Sequence, residues 1–214
     1  MNSFDDAYRV VDGYFGEQPE KILVTHLPDL NMDRPVLDIG SGQGRHALYL
    51  AGNGFTVDAL DPSGVAVDQV ARAAVERSLP VRAIQGTFQD VAGADGNYGT
   101  ILAFGLIPLL SRPEIEALSA MVASTLAPRG LVFITAFGTW DPAYARHASR
   151  WHAVGPNSFR GPRGDLRTYL EPGELTRLFS GFGVVASWEG LGPEHRHGMG
   201  PVERHGLAEA VLRR

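Results

Sequence analysis

Val36-Leu37-Asp38-Ile39-Gly40-Ser41-Gly42-Gln43-Gly44-Arg45, followed by Phe55-Thr56-Val57-Asp58-Ala59-Leu60-Asp61-Pro62, decides the fold. The first stretch is an apolar run that contains one carboxylate and ends in alternating glycines. It reads as a buried strand whose tip turns tightly into a helix, leaving backbone N–H groups open to a ligand. The second ends in another acid, Asp61, at about the spacing at which a nucleotide ribose is gripped in βαβ units. Together they point to a nucleoside cofactor.

Charge selects which one. A nicotinamide or flavin fingerprint reads G-x-G-x-x-G after an uncharged strand end, because a carboxylate beside the pyrophosphate would repel it. Here Asp38 stands two residues before the first glycine, and the sixth position of the frame counted from Gly40 is Arg45. S-adenosylmethionine (SAM) has no phosphate and carries an ammonium, a carboxylate and a sulfonium, so an acid near the turn can pair with its cationic end. Arg45 either serves the carboxylate side or opens the helix.

Val36 to Pro62 resembles the motif I and motif II region of class I SAM-dependent methyltransferases, with Asp38, Gly40, Gly42 and Gly44 in the motif I places and Asp61 in the ribose-binding place. Gly44 to Ala51 resembles the helix opening of the tellurite-resistance and thiopurine-type methyltransferases. The tail Glu194-His195-Arg196, then Arg204, then Leu207 to Arg213, is similar to the end of the tellurite-resistance family. That resemblance implies a Rossmann-like, doubly wound, seven-stranded mixed α/β sheet closed by a C-terminal antiparallel hairpin.

Composition agrees with an ordinary globular domain. The chain has 214 residues, 44% hydrophobic and 20% charged, enough for one full core, and residues 1–214 are read as a single domain. A net charge of −5 argues against binding nucleic acid through a broad basic surface. The absence of cysteine excludes disulfides and thiolate chemistry. Met1 to Asp6 lacks the features of a signal peptide, and the longest apolar run, Ile101 to Leu110, is too short to span a bilayer. A cytoplasmic protein, monomer or homodimer, acting on a small-molecule substrate without nucleic acid or membrane, is the expectation.

Elements alternate in a βα rhythm. Helical spacing covers Arg45 to Ala51 and stops at Gly52-Asn53-Gly54; Phe55 to Leu60 forms a strand, Val65 to Val75 a helix, and Val81 to Gln85 and Thr100 to Phe104 further strands. Ser111-Arg112-Pro113-Glu114 is a capping box opening a helix through Leu126, and Leu131 to Phe137 is a buried strand. Residues 138–165 have no clean period and read as a lid or substrate loop. A short helix over Pro172 to Ser180 and strands over Gly183 to Trp188 and Leu207 to Leu212 complete the chain.

Ligands of open α/β sheets sit at the carboxyl ends of the strands. That rule nominates Gly40, Ser41, Gly42 and Gly44 after the first strand, and Asp61, Pro62 and Ser63 after the second. It adds Thr87 and Phe88 after the third, and Phe104, Gly105 and Leu106 after the fourth. The family often has an Asp after the third strand to receive the adenine amino group. This chain has Gly86-Thr87-Phe88 there, so Thr87 and its backbone stand in and Phe88 packs on the ring. Another departure is Gly99, where the family usually has Asp. Phe88 and Phe104 are equally compatible with core positions. The resemblance also implies a flap over the cofactor from about residues 1–30, carrying Tyr8, Tyr14 and Phe15 on a helix, with Tyr14 in the cofactor set; a helix simply docked on the sheet is the rival reading.

In the tellurite-resistance family the His-Arg pair and a later Arg point into the acceptor pocket, which here implies His195, Arg196 and Arg204, with His195 as the candidate base. Guanidinium forks suit an anionic or oxygen-rich acceptor. His195, His197 and His205 resemble metal ligands by type, but show no recognised zinc spacing, so a solvated loop without metal is expected. His26 and His46 are read as helix flanks, His147 and His152 as surface residues. The rival functions are a nicotinamide-dependent oxidoreductase, disfavoured by Asp38 and Arg45, and a non-catalytic SAM-binding sensor or partner protein.

Overall fold

The computed structural model describes residues 4–91 and 97–214. Two short helices, α1 (Asp5–Val10) and α2 (Lys21–Thr25), lead into β1 (Val36–Ile39), α3 (Arg45–Gly52), β2 (Val57–Asp61), α4 (Gly64–Glu76) and β3 (Val81–Gln85). Then come β4 (Tyr98–Ala103), α5 (Arg112–Thr125) and β5 (Leu126–Gly138). α6 (Tyr144–Arg150), β6 (His152–Gly155), β7 (Ser158–Arg160), β8 (Leu166–Leu170) and α7 (Glu174–Leu178) follow. The chain closes with β9 (Gly183–Leu191), β10 (His195–Arg196), β11 (Val202–Glu203) and β12 (Gly206–Arg213).

The main sheet runs β3-β2-β1-β4-β5-β12-β9. The first five strands are parallel, and β12 lies antiparallel between β5 and β9, so the expected seven-stranded sheet with a reversed C-terminal hairpin is present. Apolar residues fill both faces. Leu37, Ile39, Ile101, Val132 and Ile134 face one core, while Val36, Val57, Leu102, Leu131 and Phe133 face the other. A parallel sheet covered on both sides demands such runs, and the alternation along β1 leaves Asp38 as the polar member at its buried tip. Strand order reverses between β1 and β4, so the loops after these strands diverge to opposite faces and open a crevice there.

Two expectations change. Residues 138–165 are not a plain loop: they form α6, β6 and β7, which join β8 in a ladder whose last strand pairs parallel with the end of β5 through Phe137↔Tyr169 and Gly138↔Leu170. The Thr168 hydroxyl donates to the Leu110 carbonyl at 2.6 Å, and Arg112 donates to the Pro156 and Tyr169 carbonyls, each at 2.8 Å. No periodicity announces these elements because they are three to seven residues long. In the N-terminal segment, only Tyr8 is helical; Tyr14 and Phe15 lie in turns beyond α1. Residues 1–3 of the anticipated flap, which also open the stretch read for a signal peptide, lie outside the described residues.

Candidate active site

The glycine turn is built by conformations that side chains resist. Gly40, Gly42 and Gly44 have φ of 71°, 51° and 84°. The turn hooks onto β2 through Gly40 and Ser41 N–H groups donating to the Leu60 carbonyl at 2.8 and 3.0 Å. Gly44 is needed twice over, since a Cβ there would stand 2.8 Å from a Val70 methyl and force α3 away from α4. Leu106 reaches the same turn, its Cδ1 lying 3.7 Å from where a Gly40 Cβ would be.

Asp38 carries a buried, unsatisfied oxygen in this region, as His46 carries an unsatisfied Nε2. Asp38 is 1% exposed, and its Oδ2 has no hydrogen-bond partner. Burial pushes its pKa up to about 7, against the opposing pull of Arg45 and the Ala47 N–H. A buried carboxylate oxygen with no donor costs free energy until a cation or donor reaches it. The neighbouring His46 is held well below its usual pKa by burial, and its ring packs on Phe104 with centroids 4.5 Å apart.

Asp61, 6% exposed, closes the turn from the other side. Its two oxygens accept from the Gly42 and Ser63 N–H groups, each at 2.8 Å. Burial raises its pKa while those two bonds hold it down. Each oxygen keeps a further lone pair, so the carboxylate can orient the turn and still accept from a ligand. Ser63, next to Pro62, caps α4 by accepting from the Ala66 N–H at 3.2 Å and donates to Asp5 at 2.5 Å.

The N-terminal segment lies over this turn. The Tyr8 hydroxyl stands 3.1 Å from where a Gly42 Cβ would be, and Phe4, Tyr8, Tyr14 and Phe15 form one aromatic cluster. Gln43 fastens it, donating to the Val11 carbonyl at 2.9 Å and accepting from the Tyr14 N–H at 2.7 Å. Arg45 also serves this purpose, donating to the Phe15 carbonyl at 3.0 Å and pairing with Glu20 at 2.6 Å.

The other nominated residues divide. Gly105, φ 66°, donates to the Thr135 hydroxyl at 2.8 Å after β4, and Phe104 is half-buried beside it. Thr87 is exposed and engaged by Asp90 in a reciprocal cap, its N–H and hydroxyl donating at 2.8 and 3.0 Å. Asp90 is therefore the acid of that loop, two residues beyond Phe88, which is buried in the core.

The tail differs most from its expectation. The β10-β11 pair sets His195 opposite Glu203 and Arg196 opposite Val202. Alternation along the strand puts His195 and His197 on one side, while Arg196 and Arg204 are exposed and donate to the Gly200 and Gly192 carbonyls at 3.3 and 2.6 Å. The group that converges is His195, His197 and His205, all half-buried, each with a ring nitrogen within 4.8 Å of the others. This corrects the solvated-loop reading. The signal is the period-2 pattern His-Arg-His and Glu-Arg-His on two paired strands, which the glycines and prolines between them mask. His197 also packs on Tyr14 and Phe15, so the cluster adjoins the segment over the glycine turn. His147 is a second correction: it is buried, bonded to the Tyr169 hydroxyl at 2.7 Å and stacked on Trp151.

Comparison with known proteins shows what these features resemble. Residues 36–130 match the family model described as a methyltransferase domain. The structure is similar to TehB from Haemophilus influenzae, with a TM-score of 0.71 and 18% identity over 92% of this chain and 62% of that one. It is also similar to 1,6-didemethyltoxoflavin-N1-methyltransferase from Burkholderia thailandensis, solved with S-adenosylhomocysteine bound, with a TM-score of 0.64 and 21% identity over 90% and 75% of the two chains. Both likenesses are of fold. A curated relative, Hemagglutinin 1 from Eikenella corrodens, is 29% identical over 157 residues, 73% of this chain; the chain spans about half that protein's length, 49%. Residues 36–130, which hold the glycine turn and Asp61, are thus similar to a methyltransferase domain. The unpaired Asp38 oxygen fits the ammonium of SAM, and the tight glycine turn fits a close approach of its uncharged nucleoside. No helix among the described residues is long and apolar enough to cross a membrane.

Proposed function

We propose that this protein transfers the SAM methyl group to a small-molecule acceptor that is oxygen-rich or anionic. The observation that carries the reading is the Asp38 carboxylate, buried at the tip of β1 with one oxygen unpartnered, beside three left-handed glycines and across from Asp61. Asp38 holds the ammonium of SAM. Asp61 keeps the turn in shape through Gly42 and accepts from the ribose, while Phe104, Leu106 and Tyr14 line the nucleoside. The 1,6-didemethyltoxoflavin-N1-methyltransferase, of similar fold, was solved with 1,6-didemethyltoxoflavin bound, which supports a small-molecule acceptor.

The acceptor lies at the mouth between the N-terminal flap, the histidine hairpin and the ladder after β5. Arg196 and Arg204 are exposed on that hairpin, and their charge on its outer face favours the approach of an anionic or oxygen-rich molecule. Chemistry requires in-line attack: the acceptor lone pair forms a bond to the methyl carbon, and the carbon–sulfur bond breaks with its electrons on sulfur, leaving S-adenosylhomocysteine. The protein contributes alignment and exclusion of water.

Titration calorimetry with SAM, followed by mass spectrometry of oxygen-bearing acceptors incubated with methyl-labelled SAM, tests the reading. Binding of SAM and label transfer to one acceptor class is the expected result. Binding of NAD(H) without SAM would make the chain an oxidoreductase and overturn it.

A further inference from the structure

We infer that His195, His197 and His205 form a binding site for one divalent transition-metal ion of the zinc class. Two of the three rings have their tautomers fixed by oxygen acceptors. His205 Nδ1 donates to Asp141 Oδ2 at 3.0 Å, and His195 Nδ1 donates to the Pro193 carbonyl at 3.2 Å. Oxygen acceptors oblige each Nδ1 to carry the proton, so each neutral ring holds its lone pair on Nε2. Both Nε2 atoms belong to rings gathered with His197, with centroids 4.7 to 6.1 Å apart across the group.

One pair already stands at the separation of ligands on one ion, and all three candidate ligand atoms lie within 4.8 Å of one another. Nitrogens bound at about 2.0–2.1 Å to a tetrahedral zinc stand roughly 3.3 Å from each other. The Nε2 atoms of His195 and His197 are 3.2 Å apart. A plain imidazole–imidazole hydrogen bond would match that distance, yet it leaves the rest of the cluster unexplained. The other His197 nitrogen, Nδ1, is buried without a partner. The far nitrogen of His205, Nε2, has Glu203 Oε2 3.7 Å away.

Support around the ligands is built as metal sites are built. Asp141 is buried, accepts from the Ala143 and Gly206 N–H groups at 2.7 and 2.9 Å, and holds His205, whose ring stacks on Phe137 at 4.3 Å. A carboxylate bonded to the far nitrogen of a ligating histidine fixes ring orientation and raises ligand basicity. Three imidazoles leave an ion coordination positions open, and imidazole sets select zinc, nickel, cobalt or iron over magnesium and calcium.

The site stands on its own geometry; its use rests on the methyl-transfer reading. An acceptor hydroxyl occupying the open position is made more acidic by the ion and loses its proton to water. The oxygen lone pair then forms the O–CH3 bond as the C–S bond breaks with its pair on sulfur. This assigns His195 a ligand's place instead of a base's.

The test uses the full chain, untagged, stripped with chelator and dialysed. Titration with Zn2+ alone should give one ion per chain, and Co2+ should give the visible absorption of a tetrahedral site. The double substitution His195→Ala/His197→Ala, outside the main sheet, should abolish that stoichiometry with unchanged circular dichroism. Asp141→Asn should weaken Zn2+ about 10–100-fold. If the parent takes up no Zn2+, or the parent and double variant bind it equally, the metal site is refuted. SAM titrations run alongside separate the two ideas: Zn2+ binding without SAM binding would remove the methyl-transfer reading and leave the metal site standing.

Discussion

Asp38 concentrates the conflict between folding and ligand capture in one residue. Its folded carboxyl sits at about 7, above the ordinary 3.8, because burial disfavours the charged form. An acid with a raised folded pKa binds more protons folded than unfolded between those values, so its contribution to stability falls as pH rises from about 4 through 7. Asp38→Asn removes that loss. The ligand-free variant should melt higher than the parent at pH 8 and converge with it below pH 4 in scanning calorimetry. It should also bind SAM at least tenfold more weakly, since a hydrogen bond to a charged group is worth about 1.5–3 kcal/mol. A variant melting below the parent at pH 8 would mean the charge is already paired inside the protein. Asp61→Ala carries the opposite signature: it strands the buried Gly42 and Ser63 N–H groups and should lower stability by about 1–3 kcal/mol for each while weakening SAM. Calorimetry that shows unchanged stability and affinity would take Asp61 out of the site.

At the scale of elements, what is legible in the sequence is whatever buries a continuous apolar run. β1, β2 and β5 are readable because both faces of a covered parallel sheet must be apolar, and the glycine turn because positive φ admits little but glycine. Gly44 tests that logic. Gly44→Ala suffers both the φ penalty and a 2.8 Å approach to Val70; Gly44→Ala/Val70→Ala relieves only the second. The double variant should therefore recover part of the lost melting temperature and not all of it, the remainder reflecting the roughly 1–2 kcal/mol cost of a left-handed side-chain residue. Full recovery would show that φ is not constraining. The ladder β6-β7-β8 and the hairpin β10-β11 are not legible, because two- to five-residue strands have no measurable period and their pairing is decided by distant contacts such as Arg112 with the Pro156 carbonyl. The family resemblance nominates Arg196 and Arg204; strand alternation turns them outward and His197 inward.

At the scale of the whole molecule, the N-terminal segment is tied by hydrogen bonds to the glycine turn and α4. The side chains that clamp residues 5–20 come from the nucleotide-side elements: Gln43 and Arg45 after the glycine turn, Ser63 and Gln69 at α4. The Tyr8 hydroxyl stands 3.1 Å from where a Gly42 Cβ would be, so on the proposed reading the segment lifts for SAM to enter and reseals over it. Binding at a hundred times Kd stabilises the bound form by about 2.7 kcal/mol, and that stabilisation should appear where the coupled contacts are. Hydrogen exchange should slow with SAM across residues 5–20 and 40–45, while β4 and β5 amides, protected by global stability, should not change at conditions where exchange is local. Gln43→Ala removes two of the clamps at once. Flap exchange should then quicken without SAM and SAM should dissociate faster in stopped flow, with sheet exchange unaltered. Uniform slowing over the whole sheet and no local change at residues 5–20 would show that the N-terminal segment is a fixed part of the fold, and that the ligand enters by another route.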